Sequence, residues 1–316
     1  MGDIVTSGDG ELLEISNGST AHTSKEDASG PRNVNTVVFG QEYEFEAWYG
    51  CSYYSNLDNA RKKASTPGPI IDKLYVCNRC FKYTLDGSLM GQHLLLCAAS
   101  FSPKGRLVYQ YNQFSIREVD GAKDKLYCQL LCLFSKLFLD TKSVCFAVDR
   151  FTFYVLIHHS SAKSEQAVGF FSKEKLSWDQ NNLACVAVFP PFQGQGLGQI
   201  LIEFSYELSI IDGVLGSPER PLSKSGKRSY LLFWRSSIAR ALSRIDCQSG
   251  VSIDDLSHAT GIRQDDIVEA LVSLKALHKG DNSLWSIDKA VIIAWAAENK
   301  INLNRPSLID VNYISL

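Results

Sequence analysis

Asn182–Leu183–Ala184–Cys185–Val186–Ala187–Val188–Phe189–Pro190–Pro191–Phe192–Gln193–Gly194–Gln195–Gly196–Leu197–Gly198 is the stretch that decides the fold of this chain. An apolar, strand-like run ends in a proline pair, and a glycine-rich turn then opens the helical pattern Gln199–Ile200–Leu201–Ile202–Glu203–Phe204. A strand feeding a glycine turn at a helix N-terminus builds an anion site. The first main-chain N–H groups of the helix lack partners, and the helix dipole adds partial positive charge. Glycine lets the chain wrap a pyrophosphate without Cβ atoms in the way.

The order of residues narrows the ligand. Gln193–Gly194–Gln195–Gly196–Leu197–Gly198 fits Q-x-x-G-x-G and resembles the pyrophosphate loop of acetyl-coenzyme-A-dependent N-acetyltransferases. The third glycine comes one residue too early for the G-x-G-x-x-G of dinucleotide folds, and no Gly-Lys-Ser/Thr closes a P-loop. A glycine-rich loop that merely turns the chain is the competing interpretation.

Composition sets bounds on both. A chain of 316 residues with 45% hydrophobic content has material for one large domain or two modest ones around a sizeable core. A net charge of -2 gives no bulk attraction for nucleic acid. The 9 cysteines are an odd number, and Met1–Gly2–Asp3–Ile4–Val5 does not open a signal peptide, so reduced thiols in an intracellular compartment are expected. The richest apolar stretch, Cys128 to Leu139, is broken by Gln129, Ser135 and Lys136 and is too short to cross a bilayer, which predicts a soluble chain without membrane contact.

Residues 1–34 are rich in Gly, Ser, Asp, Glu and Thr and predict a disordered tail, with order beginning at Thr36–Val37–Val38–Phe39. Alternation in Tyr43 to Trp48 and the β-branched and aromatic runs Arg106–Tyr111 and Phe151–Ile157 predict strands. Leu126, Leu130, Leu133, Leu137 and Phe138 recur at helical spacing within Asp124–Leu139. Past Lys227, a face of Tyr230, Leu231, Trp234, Ile238, Leu242 and Ile245 predicts a helical C-terminal region. The expected fold class is α/β (α+β).

Cys77–Asn78–Arg79–Cys80, followed after twelve residues by His93 and then Cys97, has the spacing of a metal site. Two thiolates lie on a tight turn, and a helix would set His93 and Cys97, four apart, on one face. Three sulfurs and an imidazole suit tetrahedral Zn2+, expected here to be structural. The helix carries Leu89, Met90, Leu94, Leu95 and Leu96 and few cations, so it is expected to pack within its own domain rather than on DNA.

Together these segments resemble the catalytic domain of the MYST family of histone acetyltransferases. The resemblance runs through Phe39–Gly40–Gln41–Glu42–Tyr43–Glu44, the zinc cluster and Glu118–Val119–Asp120–Gly121. It continues through Gly169–Phe170–Phe171–Ser172–Lys173–Glu174–Lys175, Asn182–Leu183–Ala184–Cys185, Phe204–Ser205–Tyr206–Glu207–Leu208–Ser209 and Gly216–Ser217–Pro218–Glu219–Arg220–Pro221–Leu222–Ser223. It implies a GNAT-like core with an N-terminal C2HC zinc finger region and a winged-helix-like C-terminal region. The expected divisions are a tail over 1–34, the zinc finger region over 35–105, the catalytic core over 106–226 and the helical region over 227–316, with 35–303 as one MYST-type domain. No chromodomain-like or PHD-like pattern precedes the core, as in the fungal silencing-complex branch of the family. That branch implies a nuclear, chromatin-bound enzyme acting on the histone H4 tail with non-catalytic partner subunits.

Acetyl transfer to lysine needs a neutral amine, although a free lysine has a pKa near ~10.4. A base near the nucleophile and a donor for the carbonyl oxygen are therefore required. Glu219, between two prolines, is the candidate base, and the resemblance assigns it the same role; Arg220 is expected to face away. Cys185 lies where the thioester should be, either as an acyl carrier or as a small side chain shaping the pocket, and direct attack is the preferred route. The resemblance further implies that Val186, Ala187 and Val188 pair with the pantetheine arm of acetyl-CoA. Gln193, Gly194, Gln195, Gly196, Leu197, Gly198 and Gln199 would hold the pyrophosphate, Ser223 would be a further contact, and Lys142 would be acetylated by the enzyme itself. Two residues depart from the family pattern. Gly194 stands where Arg or Lys is usual, and Lys224 where Asp is usual; Lys224 would either alter substrate contact or replace the missing charge.

Ser252–Ser257 and Thr260–Ile267 predict two short helices joined at Gly261. Asp265, Asp266 and Glu269 would repel phosphate, so a structural role beside the substrate cleft is expected rather than DNA binding. A small-amine or non-histone acetyltransferase and a catalytically silent zinc-finger adaptor are the alternative functional classes.

Overall fold

The structure, a computed structural model, describes residues 2–4, 32–53, 70–139, 146–159, 165–245, 251–279, 285–304 and 308–316. In chain order the elements are β1 (Gly2–Ile4), β2 (Val34–Phe39), β3 (Tyr43–Glu46), β4 (Ile71–Val76), β5 (Tyr83–Thr84) and α1 (Gly87–Ser100). They continue with β6 (Arg106–Tyr111), β7 (Phe114–Asp120), α2 (Lys125–Lys136), β8 (Phe151–His159), β9 (Glu165–Glu174), β10 (Cys185–Val188), α3 (Leu197–Ile211) and α4 (Lys224–Arg244). The last are α5 (Ile253–Thr260), α6 (Gln264–Ser273), β11 (Leu277–Lys279), β12 (Trp285–Ile287) and α7 (Lys289–Glu298). The elements fall into two compact units, and α3 and α4 contribute to both.

The larger unit holds two sheets. One has the order β3-β2-β4-β5, with β2 and β4 parallel; the other has the order β10-β9-β8-β7-β6 and is antiparallel throughout. Strands β8 and β9 are apolar along most of their length and buried on both faces, as central strands should be. Gly169 permits β10 to lie close on β9: a Cβ there would stand 2.7 Å from the Ala187 carbonyl oxygen. The core is aromatic. Phe39 stacks on Phe134 at 4.8 Å, and Phe189 meets Phe134 edge-on at 5.0 Å and Phe81 at 5.8 Å. Each such ring contributes about 1.5–3 kcal/mol by burial alone, so the chain just past β10 is fixed firmly before the glycine turn begins.

Helix α2 forms where its periodicity predicts, and of the expected face Leu133, Leu137 and Phe138 are buried and Leu130 is partly buried against the core. Tyr127, Cys128, Leu131, Cys132 and Phe134 are buried, whereas Leu126 is 68% exposed. The first sheet likewise starts at Val34 rather than Thr36, because Val34 pairs with Ile71 on the parallel strand.

The smaller unit includes the C-terminal helices and a sheet of order β1-β12-β11. A capping box between Ser252 and Asp255 starts α5, and Gly261 ends it at φ 69, a left-handed conformation suited to glycine. The carbonyl of that glycine accepts from Gly216 N–H at 2.7 Å. With α5, α6 and the β11–β12 hairpin, this unit has the helix-turn-helix and wing expected of it. Asp266, at the start of α6, is buried rather than presented on a surface. Among the described residues no helix is long and apolar enough to cross a membrane.

Candidate active site and zinc centre

The zinc-type cluster assembles as the spacing requires. A turn closed by Phe81 N–H to the Cys77 carbonyl, with Phe81 at φ 60, brings Cys77 and Cys80 together. Asp86 caps α1 by accepting from Ser88 and Leu89 N–H at 2.8 and 3.2 Å, which starts the helix at the point that sets His93 and Cys97 toward the turn. The four ligand atoms lie within 4.8 Å of one another. Cys77 Sγ is 3.8 Å from Cys97 Sγ, and Cys80 Sγ is 3.3 Å from His93 Nε2. Zn–S bonds of ~2.3 Å in a tetrahedron give S···S edges of about 3.8 Å, so the donor set fits Zn2+ in both chemistry and size.

The thiols also share protons unevenly. A hydrogen bond from Cys80 lowers Cys77 to about 5, the same bond raises Cys80, and burial raises Cys97.

The apolar helix, by contrast, does not bury all its leucines. Met90 and Leu94 are buried beside the cluster, but Leu89, Leu95 and Leu96 are 56%, 74% and 71% exposed. The expected packing of that face within the domain therefore holds for two of five residues. A 14-residue helix laid on a small cluster has only one face to bury.

At the glycine turn, β10 is the edge of its sheet and, among the described residues, pairs only with β9. Phe189 N–H donates to the Val168 carbonyl at 2.9 Å. By antiparallel alternation Ala187 also faces β9, which turns the main-chain groups of Val186 and Val188 to the open edge. The Val188 carbonyl is capped there by Gln193 Nε2 at 2.9 Å. Sequence spacing gave no signal for that bond, which folds the first loop residue back onto the strand.

Gly194 and Gly196 follow at φ 76 and 78, with open space where a Cβ would stand. Gln199 N–H closes the first turn of α3 onto the Gly196 carbonyl at 3.0 Å. The N–H groups of Gln195, Gly196, Leu197 and Gly198 have no main-chain partner among the described residues. Unpaired N–H groups at the start of a helix are suited to an anion.

The Gly216–Ser223 motif meets the segment leading into β10 through its main chain. Asn182 N–H donates to the Ser217 carbonyl at 2.9 Å, Leu183 bridges Pro218 in parallel, and Glu219 N–H donates to the Leu183 carbonyl at 2.8 Å. Glu219 is thereby held beside a residue only two positions from Cys185, which is half-buried. Glu219 and Arg220 are both exposed, and the peptide joining Arg220 to Pro221 is cis.

Buried Asn182 supports this junction. Its Nδ2 donates to Ser205 Oγ at 3.3 Å, which links the strand entry to α3. Buried Glu203, also on α3, accepts from Leu308 and Ile309 N–H and ties down the C-terminal segment. Neither role was legible in the sequence, because both partners are distant in the chain.

Ser223 has a structural duty as well. Its Oγ accepts from Gly226 N–H at 3.0 Å and caps α4, leaving its own O–H available to donate. Lys175 Nζ donates to Asp120 at 2.8 Å and to the Asp149 carbonyl at 3.0 Å, and the bond to Asp120 lowers that carboxyl below its ordinary range. Lys142 lies outside the described residues.

Residues 102–314 match the MOZ/SAS family, and residues 31–97 match the MYST family zinc finger domain. The chain is 39% identical over 264 residues to Histone acetyltransferase SAS2 of Saccharomyces cerevisiae, an alignment covering 80% of this chain and 77% of that protein. It is 40% identical over 260 residues to Histone acetyltransferase MOF of Drosophila melanogaster, covering 82% of this chain but only 30% of that longer relative. With the zinc-type cluster, the glycine turn and the open strand edge on one scaffold, the chain belongs to the MOZ/SAS family and is an acetyltransferase of MYST type.

Proposed function

We propose that the chain transfers acetyl from acetyl-CoA to a lysine side chain in a histone N-terminal tail, with histone H4 as the substrate, in nuclear chromatin and together with non-catalytic subunits. The observation that carries this reading is the Glu219 N–H to Leu183 carbonyl bond, which ties an exposed carboxylate to the strand leading into the glycine turn. Acetyl-CoA supplies the activated acyl group. The open edge of β10 offers main-chain groups of Val186 and Val188 to its amide arm, as an added strand would find them. Gln193 to Gln199 offer N–H groups to its phosphates, and the Ser223 hydroxyl is a further donor.

Glu219 takes the proton from the incoming lysine ammonium, which frees the amine for direct attack. Cys185 shapes the space beside the reacting carbonyl. Zn2+ on Cys77, Cys80, His93 and Cys97 is structural: all four donors come from the protein, so no coordination position is left for a reactant. Lys142 is the proposed site of self-acetylation. The domain divisions proposed from the sequence keep the zinc finger region over 35–105 and the catalytic core over 106–226.

The test is transfer of labelled acetyl to core histones, histone H4 peptides and free polyamines in parallel. Transfer confined to histone substrates and lost in Glu219→Gln supports the reading. Equal transfer to polyamines would overturn the histone assignment, and undiminished transfer by Glu219→Gln would overturn the base.

A further inference from the structure

The glycine turn carries no cation. Residues 193–199 are Gln, Gly, Gln, Gly, Leu, Gly and Gln, yet a coenzyme A carries a pyrophosphate and a ribose 3′-phosphate. The charge is found on a neighbouring element. Gln199 Nε2 donates to the Ser229 carbonyl at 2.9 Å, which draws the start of α4 against the start of α3. The first turns of α4 hold Lys224, Lys227 and Arg228, and its first turn has no acidic residue.

Cations at a helix N-terminus oppose the dipole there, so this placement costs the helix stability. Local conflicts of that kind concentrate at functional sites. Lys224 and Arg228 are four apart and so share a face of the helix, and both are exposed. Neither side chain makes a hydrogen bond or ion pair with any described residue.

We propose that Lys224 and Arg228 form the cationic half of the coenzyme A phosphate site, with main-chain N–H groups of the glycine turn as the other half. The two side chains supply the positive charge that residues 193–199 lack. The inference rests on the acetyl-CoA reading above and adds to it the residues that set affinity for the phosphates. Lys224 thereby acts on the coenzyme and not on the acceptor substrate.

Calorimetric titration of coenzyme A and of dephospho-coenzyme A, with no acceptor present, tests this on the full chain. Lys224→Gln/Arg228→Gln is expected to weaken coenzyme A binding about tenfold and to flatten its dependence on salt, while Lys224→Arg/Arg228→Lys retains both. Removal of two cations from a helix N-terminus should leave the melting temperature equal or higher, which separates lost contact from lost fold. A loss seen with coenzyme A but absent with dephospho-coenzyme A assigns the pair to the 3′-phosphate; equal losses assign it to the pyrophosphate. An unchanged Kd and salt slope in the double Gln variant would overturn the proposal while leaving the acetyl-CoA reading intact. Absence of binding by the unsubstituted chain would instead remove that reading, and this inference with it.

Discussion

The main-chain N–H of Glu219 donates to the carbonyl of Leu183 at 2.8 Å, so the exposed carboxylate and the half-buried thiol of Cys185 are held by neighbouring segments of backbone. The tether uses no side-chain atom of Glu219. Substituting that side chain therefore changes the chemistry without releasing the loop. Glu219→Gln is expected to lower kcat by about 10²–10⁴-fold, with the melting temperature and the Kd for coenzyme A unchanged. Steady-state kinetics with histone peptides, beside calorimetry, checks all three.

Cys185 pairs with Ser172 at the start of β10. If it only shapes the pocket, Cys185→Ala keeps most of its turnover, and rapid-quench experiments without acceptor find no labelled acetyl on the protein. Total loss of activity in a folded variant would establish an acyl-cysteine route instead.

Cys97→Ala removes one of four donors from a cluster whose sulfurs already stand at tetrahedral spacing. Native mass spectrometry is expected to find one zinc per chain in the parent and none in the variant. The melting temperature should fall by several degrees or more, because metal binding contributes directly to folding.

Gly194 sits at φ 76 with nothing near its missing Cβ. An arginine there meets no steric barrier but must adopt a left-handed backbone, at about 1–2 kcal/mol. Gly194→Arg is therefore expected to tighten coenzyme binding while lowering unfolding stability by that amount. Calorimetry and urea denaturation would read the two effects separately.

Gly121 is the opposite case. A Cβ there would lie 1.9 Å from the Val148 carbonyl oxygen, and its N–H donates to the Phe151 carbonyl at 3.0 Å. Both neighbours are backbone and cannot step aside. Gly121→Ala should cost about 3 kcal/mol or more and yield little folded protein, measured by denaturant unfolding of whatever can be purified.

The zinc-type donor cluster, the strand–turn–helix around the glycine turn and the helical pair around Gly261 were all legible in the sequence. Each depends on residues close in the chain, whose spacing alone fixes which face or turn they share. Helix faces were less legible. Leu126 and three leucines of α1 fit an apolar pattern yet are exposed, because which side of an apolar helix is buried depends on what packs against it. The order of the five-stranded sheet, with β10 at its edge, was not visible at all, since strand pairing is decided by contacts distant in the chain.

By itself the amino-acid sequence determined the chemistry available: four metal donors, a glycine turn ahead of a helix, and a lone carboxylate between prolines. Only the tertiary structure decided the arrangement. It joined Glu219 to Leu183, placed Gln193 on Val188 and drew Gln199 of α3 onto Ser229 of α4, through hydrogen bonds. Spacing along a chain limits local geometry, whereas main-chain bonds between remote segments form only once the core has packed and excluded the alternatives.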